Sequence, residues 1–519
     1  MIPLILVWLR TAGLVGQAVT IGGAALCLAM SRRGRADDNA GAFDRTLRLA
    51  AVGALVAAVA QAGTLAALAA QLADGSTWPV EALLGSTVGV SGLIRIACSL
   101  MVAGAAQGLR RAPSSLTRMV AFITTAGAFA CTGILATHAV GWVGSGLTTA
   151  AASVLHQAAA GVWVGGLICA AVLALRGHSA RVEAWLRPFS TLAATAVATL
   201  AVTGAALSIQ YIGSPAAAIG TSYGTMVLAK VALFAAMVVL GVLNHRALRS
   251  GAGALMLRRR LEVEAGLAVI VIFVGASIAA APPAVDVDAD QATLAEVRAV
   301  FTPQWPRFAT PSLADLAAAS DLGNPLAARS AEQTAWSEFG HHVAGVFIVS
   351  MGVLAILERT GWAPWARHWP LLFIGLTAFV AYSLDPEGWQ TGRVGFWEHL
   401  LDVEVLQHRF MLFVTALIGL AEWRVRSGRN PDSPWRYVVP VAAILAGTLL
   451  LSHAHEVNNA KSAFLMEVSH LPMGLVVLVA GWSRWLELRL PPEDGRKAGR
   501  FWGPGLMALG LLLLLYREQ

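Results

Sequence analysis

Residues 189–212 read FSTLAATAVATLAVTGAALSIQYI and contain no charged side chain. A stretch of about 20 apolar residues is long enough to cross a bilayer as an α-helix. The whole chain has this character, because 57% of its 519 residues are hydrophobic and 13% are charged. Such a composition is typical of membrane proteins and outweighs the several soluble domains that the length alone would suggest. We therefore predict an all-α fold, a polytopic integral membrane helical bundle.

Similar apolar runs recur along the chain, and we count about fourteen potential spans of this kind. They cover residues 4–30, 46–72, 88–108, 119–138, 150–175, 189–212, 224–245, 262–281, 339–357, 369–384, 404–423, 437–452, 466–486 and 501–516. The run at 369–384 is short enough to be re-entrant. We predict an eight-helix membrane domain (1–281) and a six-helix, histidine-rich membrane domain (336–519). Between them lies a polar segment (282–335), either a short helical cap or a loosely ordered linker.

Basic loops set the predicted orientation. The arginine clusters at 32–48, 110–118, 258–260 and 484–500 all fall on one side of a fourteen-helix arrangement. Cytoplasmic loops are enriched in Lys and Arg, so this side is predicted to be cytoplasmic and both termini periplasmic. The first run, 4–30, lacks a basic n-region and a cleavage site, and we expect it to remain as a spanning helix.

Several function classes are not supported by the sequence. It has no P-loop, no GxSxG and no aspartyl-phosphate motif, so we expect neither an enzyme nor ATP coupling within this chain. No basic segment with interleaved aromatic residues indicates nucleic-acid binding, and the net charge of +7 fits the orienting loops. The four cysteines lie in apolar runs without a CxxC pair, which is typical of small core residues.

Histidine and methionine are concentrated in the last six runs. The stretch LSHAHEVNNAKSAFLMEVSHLPM (451–473) is the densest part, and nine of the twelve histidines fall on the predicted periplasmic side. Imidazole and thioether are ligands that suit copper. The candidate ligands here are His341, His342, His399, His408, His453, His455, His470, Met466 and Met473. Met466, His470 and Met473 are spaced four and three residues apart, so they are predicted to share one helical face. Singly, each histidine at a helix end is more often an interfacial hydrogen-bonding residue, but the group as a whole favours a functional role, because ionisable groups near the membrane interior are costly.

The first eight runs contain a smaller set of intramembrane polar residues. His138 and His156 flank the turn between the fourth and fifth runs and could face one another. Arg10, Arg95 and Lys230 lie within apolar runs. These cations either snorkel to the outer surface or line a cavity that contacts an anion or a cofactor.

Three stretches carry a resemblance to a known family. HQAAAGVWVGGL (156–167), FSTLAATAVATLAVTGAALSIQYIGS (189–214) and GTSYGTMVLAKVALF (220–234) resemble the copper resistance D family of CopD/PcoD-type inner-membrane proteins. The histidine-rich half resembles the long form of that family, with a C-terminal extension. The resemblance implies a multi-pass protein of the bacterial inner membrane that handles copper, as Cu(I) or Cu(II). It also implies a separate periplasmic copper-binding partner of the CopC type, and functional positions at His156, Tyr223 and Lys230.

Three functions remain open from the sequence. The first is copper binding at the periplasmic face with import into the cytoplasm. The second is a haem b-binding membrane protein or oxidoreductase, in which facing histidines ligate iron and Arg or Lys contacts the propionates. The third is a structural subunit of a larger membrane assembly. Neither the direction of transport nor the oligomeric state follows from the sequence.

Overall fold

The fold was obtained as a computed structural model. It describes residues 2–31, 40–73, 79–133, 146–175, 182–250, 254–279, 281–319, 330–383, 395–397, 403–428, 433–451 and 460–518. Within these ranges the regular elements are all helical, and no strand is present. The predicted all-α class is confirmed.

The α-helices are numbered in chain order. They are α1 (Ile2–Ser31), α2 (Ala40–Leu72), α3 (Val80–Gly85), α4 (Thr87–Arg111), α5 (Leu116–Cys131), α6 (Gly146–Ala160), α7 (Gly166–Leu175), α8 (Val182–Ile212), α9 (Pro215–Gly220), α10 (Ser222–Ser250), α11 (Ala254–Ile278), α12 (Leu294–Val300), α13 (Leu313–Ala319), α14 (Ala331–Thr360), α15 (Leu372–Ser383), α16 (Val403–Arg426), α17 (Val438–Leu450), α18 (Ala460–Glu467), α19 (His470–Arg489), α20 (Pro492–Ala498) and α21 (Trp502–Leu514). A π-helical turn, Gly161–Gly165, joins α6 to α7.

Nine helices in the described part of the chain are long and apolar enough to cross a membrane. They begin with Ile5–Ser31 and end with Phe464–Arg489. Each of the fourteen predicted runs overlaps a helix, although α5, α15, α16, α17 and α21 are not among the nine spans. The protein is therefore a multi-pass helical membrane protein, while fourteen crossings remain a prediction. The short run predicted at 369–384 begins within a 3-10 turn, Pro364–Leu371, and continues as the 12 residues of α15.

The chain divides into two compact units. One comprises Ile2–Ser214 and Val227–Val285, and the other comprises Met1, Pro215–Met226 and Asp286–Gln519. We refer to them as the N-terminal unit and the C-terminal unit. The short stretch Pro215–Met226 belongs to the C-terminal unit although it precedes most of α10.

In the N-terminal unit, α1 is the central helix and contacts α2, α5, α7, α8 and α11. Glycine permits this close packing. A Cβ at Gly16 would lie 2.4 Å from the carbonyl oxygen of Gly53, and one at Gly165 would lie 1.6 Å from that of Ala18. The backbones of α2 and of the π-helical turn therefore lie directly against α1, as small residues allow in membrane bundles.

In the C-terminal unit, glycines likewise permit close packing within two pairs of helices. A Cβ at Gly345 would meet the backbone of Gly510, which packs α14 against α21. A Cβ at Gly447 would lie 2.9 Å from the carbonyl oxygen of Gly474, which packs α17 against α19. These contacts hold the helix ends that carry the candidate histidines.

The C-terminal unit also contains a buried charge network. The Arg426 guanidinium donates to Glu422 at 2.7 Å and to Glu358, and lies 5.0 Å from the Trp369 ring and 5.1 Å from the Trp502 ring. Charges taken out of water must be paired in this way, because an isolated one is costly. The network explains how α16 carries Glu422 and Arg426 inside an otherwise apolar bundle.

The polar segment after α11 contains three short helical elements, a 3-10 turn (Ala284–Asp290), α12 and α13. Residues 303–312, between α12 and α13, have no regular secondary structure. Val297 and Val300 of α12 are buried against Phe464, Leu465 and Val468 at the α18–α19 junction. The described portion of 282–335 thus combines short helices with irregular chain, and the choice between a helical cap and a linker stays a prediction.

Candidate functional site

His156 of α6 is held by a hydroxyl group on α8. Its Nδ1 lies 3.0 Å from Oγ1 of Thr203. That hydroxyl donates its one proton to the carbonyl oxygen of Thr199 at 2.6 Å, so toward His156 it can only accept. In the neutral ring, Nδ1 therefore carries the proton and Nε2 keeps its lone pair. A histidine fixed in this way presents Nε2 as a ligand.

The surroundings of His156 are tight and contain one cation. A Cβ at Gly204 would lie 3.4 Å from the His156 ring, so α8 can approach it closely. Lys230 of α10 is within electrostatic range of the ring, and its Nζ lies beside Gly275 of α11. The π-helical turn begins five residues after His156, and such turns are frequent at functional sites. The imidazole therefore lies between α6 and α8, with the Lys230 cation of α10 nearby.

Arg95 does not snorkel. It is 6% exposed, and it donates to the carbonyl oxygen of Thr132 at 2.9 Å and to Oε1 of Gln17 at 3.0 Å. Gln157, next to His156, donates to the carbonyl oxygen of Gly133 at 3.2 Å. The sequence singled out the arginine but missed the two glutamines. The two glutamines could have been found from the sequence, because an amide side chain inside an apolar run requires a hydrogen-bond partner.

His342 of α14, in the C-terminal unit, is fully buried and has both ring nitrogens occupied. In one tautomer, Nδ1 accepts from the Arg307 amide at 2.8 Å and Nε2 donates to the Tyr516 carbonyl at 3.0 Å. In the other, Nδ1 donates to the Arg307 carbonyl at 3.1 Å and Nε2 accepts from Arg517 at 2.5 Å. Neither arrangement leaves a lone pair for a metal, so His342 is a structural residue in this conformation.

His341 and His470 lie on either side of the Tyr516 ring. The His341 ring stacks on it at 3.9 Å between centroids, and the His470 ring meets it edge-on at 6.1 Å. Their Nδ1 atoms face the carbonyl oxygens of Ser337 at 2.8 Å and Glu467 at 3.3 Å. A carbonyl oxygen only accepts, so in both rings Nδ1 carries a proton. The structure thus brings together three predicted histidines, 341, 342 and 470, with a tyrosine between two of them.

Met466 and Met473 are buried, at 8% and 2% exposure. Two residues, Val468 and Ser469, separate α18, which ends at Glu467, from α19, which begins at His470. Ser469 keeps right-handed helical dihedral angles, and the Val468 amide donates to the Phe464 carbonyl one turn earlier. The shared face of these methionines with His470 stays a prediction.

A small cavity, about 20 Å³, adjoins this junction in the C-terminal unit. Its lining includes Ser222, Thr225, Met226, Leu451, Glu467 and Leu471. Glu467 is buried and accepts a 3.3 Å hydrogen bond from Ser222. The space is enough for about one water molecule or ion. Sequence reasoning missed Glu467, because it sought soft ligands only.

The remaining predicted positions are placed as follows. Arg10 and Lys230 are half-buried, and Tyr223 is buried. His408 belongs to α16, but its side chain lies outside what the structure describes. His138, His399, His453 and His455 lie outside the described residues. Within the described residues, no three His, Cys, Asp or Glu side chains group as a metal site requires. The predicted ligand set therefore stays a prediction.

Comparison with protein families gives one match. The model of the family described as copper resistance protein D, CopD, matches residues 183–278. The chain carries a CopD segment. The predicted family resemblance is thereby confirmed for this part of the chain. No curated protein and no solved structure matches the chain.

The CopD segment supplies most of the environment of His156. Thr203, Gly204, Lys230 and Gly275 all lie within it, whereas His156 precedes it in the sequence. The hydroxyl that fixes the imidazole and the nearby cation are therefore CopD residues.

Proposed function

We propose that the protein binds copper at the periplasmic face of the bacterial inner membrane and imports it into the cytoplasm. The observation that carries the proposal is the orientation of His156 by Thr203 inside the CopD segment. A neutral imidazole with a free Nε2 is a ligand for either oxidation state of copper. Thr203 acts as the outer-shell partner that fixes the tautomer.

The C-terminal unit would collect the ion. His341 and His470 lie on either side of Tyr516, Met473 is on the same helix as His470, and Met466 is on α18 just before it. His399, His408, His453 and His455 complete the predicted periplasmic set. A separate CopC-type protein is the proposed donor of copper to this face.

The test compares two alanine variants of the N-terminal unit. His156→Ala should lower the copper bound per protein and slow copper uptake into proteoliposomes. His245→Ala is the matched control, because His245 is exposed and bonded to Ser190 on another part of the unit. Equal copper binding and uptake in both variants would contradict the proposal.

The same preparation separates copper handling from haem binding. Metal analysis should find copper, and the visible spectrum should show no Soret band after dithionite reduction. A Soret band lost in His156→Ala would assign His156 to haem iron instead.

A further inference from the structure

Arg95 is a buried cation without a negative partner. Its two hydrogen-bond acceptors, the Thr132 carbonyl and the Gln17 amide oxygen, are neutral. Its Nε is buried and has no hydrogen-bond partner among the residues that the structure describes. Burying an unpaired charge in an apolar bundle costs several kcal/mol. A further group must therefore complete the site.

A second orphaned atom lies in the same polar cluster. Oε1 of Gln157 is buried and without a partner in the described part of the protein. The Gln157 amide cannot simply be turned over, since its nitrogen donates to the Gly133 carbonyl and an oxygen there would face another oxygen. The position of a Cβ on Gly133 is 2.0 Å from Oε1 of Gln157 and 3.1 Å from Nε2 of Gln17. The cluster thus lacks one acceptor for Arg95 and one donor for Gln157.

Arg10 adds a second positive charge. It lies on α1 seven residues before Gln17, which is two turns along the same face. It is half-buried, repels Arg95, and has no hydrogen bond or ion pair within the described residues. The two guanidinium groups repel each other, and a bound anion near both would offset this repulsion.

Of the described carboxylate side chains of this unit, three are engaged elsewhere, and the fourth, Glu81 on α3, is exposed to solvent. Asp44 pairs with Arg48 and Arg110, Glu262 pairs with Arg259, and Glu264 accepts from Asn244. The segment 134–145, which follows Gly133 directly, contains no Asp or Glu. Among the described residues and in the segment 134–145, no carboxylate therefore serves as the counter-charge of Arg95.

We propose that Arg95, Arg10 and Gln157 form an anion site for a phosphate-type group that also carries an O–H. The anionic oxygens accept from the two guanidinium groups, which match phosphate geometry. The O–H donates to Oε1 of Gln157. A simple carboxylate does not fit, because it is fully deprotonated near pH 7 and cannot donate. Hydrogenphosphate and the glycerol headgroup of phosphatidylglycerol both meet the requirement.

The test uses full-length protein purified in detergent without phosphate. Sodium hydrogenphosphate at pH 7 should raise the melting temperature above that in sodium chloride of equal ionic strength, since a ligand that binds the folded state stabilises it. Arg10→Gln should weaken the phosphate affinity at least about tenfold, as expected for one charge-assisted hydrogen bond. Arg111→Gln, the same change at an exposed position on α4, is the control and should leave the affinity unchanged.

Gln157→Glu provides an independent variant. A carboxylate at this position would serve as the counter-ion of Arg95, so it should raise the melting temperature without phosphate and abolish the response to phosphate. Equal phosphate responses in the wild type, Gln157→Glu and Arg111→Gln would overturn the proposal. So would a wild-type protein that hydrogenphosphate and phosphatidylglycerol stabilise no more than chloride, which would leave water as the occupant.

Lipid nanodiscs distinguish the two sources of the anion. If the headgroup is the ligand, phosphatidylglycerol discs should stabilise the protein more than phosphatidylcholine discs, and Arg10→Gln should remove the difference. If free phosphate is the ligand, the response should appear in phosphatidylcholine discs on adding hydrogenphosphate. Arg10→Gln is expected to bind as much copper as the wild type. The proposed anion site and the proposed copper site can therefore be tested independently of each other.

Discussion

At the scale of single residues, the decisive contact is between a threonine and a histidine. A threonine hydroxyl on a helix commonly bonds to the carbonyl oxygen one turn earlier, and Thr203 does so with Thr199. That ordinary bond uses the hydroxyl proton. The lone pair left over selects the tautomer of His156, and hence the nitrogen that faces a ligand.

Thr203→Val should weaken copper binding while leaving the fold intact. Valine has nearly the same shape but cannot accept from Nδ1, so the ring loses its orientation. Loss of an outer-shell partner typically costs about 10- to 100-fold in metal affinity. The measurement is a competition titration of the purified protein against a chromophoric copper chelator.

Thr203→Ser is the companion variant, because serine keeps the hydroxyl and should keep near wild-type affinity. If valine and serine at position 203 gave the same affinity, His156 would not be oriented by this hydroxyl.

A pH effect is expected at an ion pair outside the spans. Lys461, at 2.6 Å, and then the amide and hydroxyl of Thr293 hold the pKa of Glu296 down at about 2. The usual glutamate pKa is about 4.3. A carboxyl whose pKa is lowered by folding stabilises the folded state fully above its unfolded pKa, and this stabilisation is lost as the pH falls toward the folded pKa.

The advantage in melting temperature of the wild type over Glu296→Gln should therefore be constant above about pH 5 and shrink between about pH 4.3 and pH 2. Thermal unfolding in detergent across that range is the measurement. Lys461→Met keeps the carboxyl but removes its main partner, so the pKa of Glu296 in the folded protein should rise toward its usual value. The stabilisation by Glu296 should then be lost over a narrower pH range. An advantage that is unchanged at pH 3 would argue against the pair.

At the scale of elements, the π-helical turn positions the histidine helix. Its backbone lies directly on α1, since Gly161 packs on Ile21 and Gly165 lies on the Ala18 carbonyl. No side chain fits between the two backbones. The turn thus fixes α6, which carries His156, against the central helix of the unit.

Gly165→Ala should destabilise the N-terminal unit. Its Cβ would fall 1.6 Å from the Ala18 oxygen, so α1 and the turn must separate. Overpacking of this kind costs about 1–3 kcal/mol or more. Denaturation of the purified protein by increasing fractions of dodecyl sulfate measures the loss.

Gly127→Ala on α5 is the matched control, because nothing lies within 4 Å of its Cβ position. Without a clash, alanine should be neutral or stabilise the helix by up to about 1 kcal/mol. Equal destabilisation by the two changes would mean that close packing at the π-helical turn is unimportant.

At the scale of the whole molecule, apolar helices are organised into two compact units. Within the N-terminal unit, the oriented imidazole and the buried Arg95 cluster share α6. Within the C-terminal unit, the Tyr516–Glu518 segment packs into a cluster of histidines, with Tyr516 between His341 and His470. Membrane orientation is the property of the whole chain that the loop charges predict.

Alkaline phosphatase fused after residue 115 should be inactive, and fused after residue 310 it should be active, because the enzyme folds only in the periplasm. The reason is that three arginines fall within nine residues at 110–118, whereas the three arginines of 282–335 are spread over 54 residues. Measured activities in whole cells test the assignment. The same activity at both positions would refute the predicted topology.

The sequence by itself determined the class of the fold. Uncharged runs such as 189–212 must form helices in a bilayer, because only there are all backbone groups bonded within the segment. It also identified two CopD stretches, 189–214 and 220–234, since that resemblance depends on local order along the chain, whereas the third, 156–167, precedes the matched residues. Single residues such as His156 and Arg95 stood out because polar groups are rare in such runs.

Only the tertiary structure decided what those residues do. The tautomer of His156 depends on a hydroxyl 47 positions away, and the engagement of His342 depends on Arg517, 175 positions away. The burial of Phe464 and Val468 likewise depends on α12, which is more than 160 positions earlier in the chain. Hydrogen bonds and burial are set by neighbours in space, and periodicity along one helix carries no information about them.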